Sequence, residues 1–124
     1  MGRLYRLPVV PVQIHVYPLS TILEEHCVNQ EIDFLSVDTE GLDLDVLTSN
    51  DWKKFRPKLV LVEMNNQEEA IVGFLEGKEY LLLFNNEYNG LFADLKTDDE
   101  HLKTILADRD IKQDIEFRKN RQAR

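Results

Sequence analysis

The chain has 124 residues, with 15 basic and 23 acidic side chains and a formal net charge of −8. That length builds one domain around a single core, and 43% apolar with 31% charged residues is ordinary for a soluble globular protein. The acidic balance excludes broad phosphate-backbone binding, so no nucleic-acid partner is expected, and no apolar run approaches membrane-spanning length. The start, Met1 to Pro8, lacks the apolar core of a signal peptide. The single cysteine, Cys27, cannot form an internal disulfide, which fits a reducing, cytoplasmic setting.

In chain order, Val9 to Tyr17 alternates with β-branched Val12, Ile14 and Val16, which predicts a strand interrupted early by Pro8 and Pro11. Pro18 stops it. Ser20 then reads as the N-cap of a short helix whose Leu19, Ile22, Leu23 and His26 share one face. Ile32 to Val37 is a continuous apolar run and predicts a fully buried, parallel-type strand. Leu42 to Asn50 predicts a helix with Asp43 in its first turn, favourable for the dipole, and Trp52 and Phe55 are placed to cover its end. Lys58 to Met64 is a second buried strand. Asn66 with Glu69 reads as a capping box, Ile71, Phe74 and Leu75 as the stripe of the following helix, and Gly77 as its terminator. Glu79 to Phe84 and Leu91 to Leu95 predict an antiparallel hairpin across the turn-rich Asn85–Gly90. Thr97 and Glu100 read as a capping box opening a last helix through Leu102, Ile105 and Leu106.

These elements predict an α/β domain over residues 1–110 with a mostly parallel sheet and a terminal antiparallel hairpin. Residues 111–124 read as a marginal helix or flexible basic tail. The tail Arg118 to Arg124 holds four basic and no acidic residues, and setting it aside leaves a net charge of −12.

The residues that carry chemistry are Asp38, Glu40 and Glu63. Asp38 and Glu63 each end a predicted buried strand, and ligands of open α/β sheets bind at that carboxyl edge. If the two strands are neighbours, both acids converge on one crevice. The competing structural reading is that they cap the following helices and face water. His15, His26 and His101 have no metal-ligand spacing. Cys27 and His26 are sequence neighbours that would not face each other on a helix. No Gly-x-Ser-x-Gly elbow and no phosphate-binding glycine loop is present.

The run Ile32-Asp33-Phe34-Leu35-Ser36-Val37-Asp38-Thr39-Glu40-Gly41, followed by Asp45-Val46-Leu47, resembles the signature of FkbM-type S-adenosylmethionine-dependent methyltransferases. Arg56-Pro57 followed by Lys58 to Glu63 is similar to the family's second hallmark, Arg-Pro before a strand ending in Glu. Phe74 to Tyr80 resembles its Leu-x-x-x-Gly-Tyr passage, with the Gly-Tyr pair split here, and Pro18 to Leu23 occupies the place of its Thr-Leu-Asp segment. The resemblance runs from about residue 12 to 95. It implies a partial Rossmann-like class I methyltransferase sheet, equivalent to strands four to seven of seven. It also implies that Asp38 and Glu40 lie beside the methyl donor and the acceptor hydroxyl, with Asp38 on the cofactor side and either acid as general base. Glu63 and Asn65 would line the acceptor side, and the acceptor would be a small molecule or glycan hydroxyl. The departure is that no glycine-rich cofactor loop and no ribose-binding acid after a second strand occur in this sequence.

The expectation is therefore an O-methyltransferase present as its C-terminal half and inactive alone, with S-adenosylmethionine as cofactor. A second reading is a non-catalytic remnant or interaction module, in which the exposed edge strand carrying Asp38 pairs with a second copy or an N-terminal partner. A third, minor reading is a metal-dependent nuclease or phosphatase, because an acid pair after an apolar strand is also a two-metal pattern. Gly41 and a helix follow here, rather than the hairpin and later His-x-x-x-x-Asp of the nuclease pattern.

Overall fold

Each apolar run after residue 30 forms an element where its period predicts one, and the run before residue 18 does not. The computed structural model describes residues 7–108. In order they form α1 (Leu19–His26), β1 (Phe34–Val37), α2 (Asp43–Thr48), β2 (Leu59–Glu63), α3 (Glu68–Gly77), β3 (Tyr80–Asn85), β4 (Asn89–Asp94) and α4 (Glu100–Leu106). Residues 111–124 lie outside the described range.

The sheet order is β1-β2-β4-β3. β1 and β2 pair in parallel, with Val37 opposite Val62, whereas β4 inserts antiparallel between β2 and β3. The sheet is thus mixed rather than mostly parallel. The sequence cannot show this, because the short hairpin turn fixes only the β3–β4 pairing, and the insertion of β4 beside β2 is a long-range choice.

One face of this sheet carries Val37, Val60, Val62 and Phe92, which pack with Leu47 of α2 and with Ile71, Val72 and Leu75 of α3. Each such side chain withdrawn from water contributes about 1.5–3 kcal/mol. Trp52 closes the arrangement. Its Nε1 donates to Leu47 O at 2.7 Å, satisfying a carbonyl at the end of α2, and its ring meets Tyr80 edge-on at 5.2 Å. On the opposite face Ala93 and its partner Leu81 are buried, and cover thins toward β1, where Phe34 stands opposite Leu59. Phe34 is 51% exposed, and Leu59, Leu61 and Leu91 are half-buried. β1 is therefore a one-sided edge strand and not the fully buried strand its apolar run predicts.

Four further expectations are corrected. Val9 to Tyr17 forms no strand and is exposed throughout. Pro11 removes an N–H donor inside it, and strand propensity is realised only against a partner edge. Ser20 lies inside α1, whose N-cap is Pro18, and its N–H donates to Ser49 O instead. Asn66 takes φ +63° in the turn before α3, so Gln67 stands at the cap. Asp99, rather than Thr97, caps α4 by accepting from Leu102 N at 2.9 Å. Gly77 ends α3, but the left-handed position after it is filled by Glu79, φ +64°.

Candidate functional site

Because Val37 and Val62 are register partners in a parallel pair, the residues that follow, Asp38 and Glu63, leave the sheet at the same level. This is the carboxyl edge of the parallel pair, where open α/β sheets bind ligands. Asp38, Glu40 and Asn65 are exposed, and Glu63 is half-buried beside Asn89 of β4. Met64 N donates to Tyr88 O at 2.7 Å, which brings the β3–β4 turn to the same edge. Sequence reasoning treated that turn only as a connection. It presents Glu87 and Tyr88 at the end of β2 that carries Glu63, and only the pairing of β4 with β2 could reveal this.

Between β1 and α2 the chain makes a tight loop. Glu40 takes φ +52° and Gly41 φ +117°, and a left-handed non-glycine residue costs about 1–2 kcal/mol. The loop is held by Asp43, which is completely buried. Its Oδ1 accepts from Thr39 N at 2.9 Å and its Oδ2 from Gly41 N at 3.3 Å. From the sequence Asp43 is a dipole partner, and the cue to more is an acid two residues past a glycine at a strand-to-helix junction. At the end of β2, an open cleft of about 830 Å³ is lined by residues 64–70 and Glu87. It includes Asn65 but not Asp38, Glu40 or Glu63, so the structure does not gather the four predicted site residues around that one cleft.

The opposite end of the sheet holds the most buried ion pair among the described residues. Arg56 Nη2 lies 2.6 Å from Asp94 Oδ1, both largely buried. The same guanidinium donates to Trp52 O and Lys78 O and stacks over the Tyr80 ring at 4.8 Å. Burial, with the nearby Asp94 carboxylate, pushes the Tyr80 hydroxyl well above its ordinary range, and that hydroxyl donates to Pro57 O at 2.6 Å. The Arg-Pro pair is thus a structural knot that ties β4, the end of α3 and the Trp52 turn together. Beside it, Lys58 is raised by hydrogen bonds to Asp33 and Asp99. Asp99 is lowered, first by the Leu102 N–H and then by Lys58.

A mixed α/β sheet with helices packed on one face and acids at the carboxyl edge of its parallel pair is consistent with a methyltransferase-like fold. A family model described as the methyltransferase FkbM domain matches residues 3–110, so the chain belongs to the FkbM methyltransferase domain family. No curated protein and no solved structure matches it.

Four glycines, Gly41, Gly73, Gly77 and Gly90, lie among the described residues. Among them Gly41 is the only glycine with positive φ, and it stands alone rather than in a glycine-rich phosphate or ribose cradle. No group of three or more His, Cys, Asp or Glu side chains among the described residues is arranged to hold a metal ion, so the metal-dependent reading gains no geometric support. No helix among them is long and apolar enough to cross a membrane.

Proposed function

We propose that the chain acts as the acceptor-side portion of an O-methyltransferase. Its four strands correspond to strands four to seven of a Rossmann-like class I sheet. The observation that carries this reading is the β1–β2 register, which sets Asp38 and Glu63 at one level on the carboxyl edge of a chain in the FkbM family. S-adenosylmethionine, bound with the help of residues outside those described, would supply the methyl group. The chain's own work is local. Glu40 or Asp38 takes the proton of a hydroxyl on a small molecule or glycan, and Glu63 and Asn65 orient that acceptor. Transfer of labelled methyl from S-adenosylmethionine to hydroxyl acceptors tests this. The assay needs the chain complemented by a cofactor-binding segment, because the chain alone is expected to be inactive. Loss of a general base should lower turnover in Glu40→Gln or Asp38→Asn by about 10²–10⁴-fold. Unchanged turnover in both variants would remove these acids from the mechanism.

A second reading has its own observation. β1 pairs only with β2 among the described residues, and Phe34 is half-exposed beside that free edge. Val10, Val12, Ile14 and Val16 stand 72%, 78%, 77% and 82% exposed at alternating positions. An unpaired edge and an unpaired strand-like segment together support association through β1, with a second copy or an N-terminal partner. Light scattering checks it. A concentration-independent monomer that unfolds cooperatively would count against association.

A further inference from the structure

Two carboxylates are buried among the described residues outside hydroxyl and amide groups, and they are treated differently. Asp94 is matched by the Arg56 guanidinium. Asp43 is wholly buried, and no cationic side chain pairs with it among the described residues. Its partners are two peptide N–H groups, those of Thr39 and Gly41. Burying a carboxylate without a cation is unfavourable unless its oxygens are well bonded, and charge-assisted bonds to backbone N–H are the strong kind.

The two donors matter by position. The Thr39 N–H belongs to the peptide unit that follows Asp38, and the Gly41 N–H to the unit that follows Glu40. Fixing both planes on one carboxylate fixes the backbone torsions through which Asp38 and Glu40 leave the sheet. It also holds Glu40 at φ +52°, a conformation it would not keep unaided. Strand β1 ends at Val37 and supplies no ladder hydrogen bond to hold this loop.

We propose that Asp43 is the positioning residue of the acidic edge, the template that sets how Asp38 and Glu40 are presented. The proposal rests on reading that edge as the acceptor side. A carboxylate buried without a cation is otherwise unfavourable. Held in this way, it turns a loop that would sample several conformations into one fixed presentation.

The test uses the whole 124-residue chain, labelled with ¹⁵N, as wild type and as Asp43→Asn. The substitution keeps the side-chain volume but offers one acceptor oxygen instead of two, so a packing role alone would tolerate it. Amide exchange at Thr39 and Gly41 should quicken by about tenfold or more, the loss of one charge-assisted bond. The β2 amides of Val60 and Val62 should keep their protection. Unchanged exchange at Thr39 and Gly41, or a loss spread evenly over the sheet, would overturn the proposal.

A second measurement needs no variant. In the wild type the Thr39 and Gly41 amides, which donate to Asp43, should exchange more slowly than the Glu40 amide between them. Equal exchange at all three would overturn the proposal. Neither result depends on methyl transfer, so failure of the catalytic reading would leave both standing, and their failure would leave the catalytic reading open to its own assay.

Discussion

Removing Arg56 would leave the Asp94 carboxylate buried without its guanidinium and would strip hydrogen-bond donors from Trp52 O and Lys78 O. Breaking a buried pair in this way costs about 3–5 kcal/mol, so Arg56→Ala should lower the urea midpoint by a large fraction of total stability. Arg56→Lys should recover little, since an ammonium cannot reach three acceptors and lie over the Tyr80 ring at once. At Gly90 the constraint is steric. A Cβ there would meet Met64 Cε at 2.9 Å and a Phe92 ring carbon at 3.0 Å. The Met64 methyl is the far end of a flexible side chain and can move, so Gly90→Ala should cost at most about 1 kcal/mol by overpacking, read in the same denaturation experiment. The sequence made Arg56-Pro57 recognisable as a motif but not its role, because the partner Asp94 lies 38 residues away. Asp43 was visible for a similar reason only as a helix-start acid. Its burial depends on how the loop folds back, which no local pattern encodes.

At the level of elements, helix and strand existence was legible from period, whereas helix starts were not. Several polar residues stand near each start, and the one that caps is chosen by the incoming chain direction. At α4, Thr97 Oγ1 is used to accept from Asp99 N, which leaves Asp99 to cap the helix. Asp99 also faces Lys58. Its folded-state pKa is depressed below the ordinary value of 3.8, so its contribution to stability is complete above that pH. The contribution is lost as pH falls through the lower folded-state value. Asp99→Ala should melt below the wild type at pH 7, and the gap should close once the pH is taken well under 3.8, as followed by circular dichroism. A gap that stays constant with pH would assign the effect to packing alone. The segment Val9 to Tyr17 makes the converse point, since its strand pattern is sound but it pairs with no described strand.

For the whole molecule, the two buried-type strands were readable from apolar runs that each end in an acid, and their pairing was a condition that the β1–β2 register meets. The insertion of β4 between β2 and β3 was not readable, and it is this insertion that brings Glu87 and Tyr88 to the acidic edge. The sheet packs α2 and α3 on one face and leaves Phe34 half-exposed on the other. Its acids are set at the carboxyl edge of the parallel pair. The function proposed above is that of a chain that orients an acceptor and needs further residues to hold the methyl donor. Calorimetric titration of S-adenosylmethionine into the folded 124-residue chain tests this most directly. The account predicts no saturable heat up to high-micromolar ligand. Stoichiometric micromolar binding that Asp38→Ala abolishes would contradict it, because the donor site would then lie within these residues.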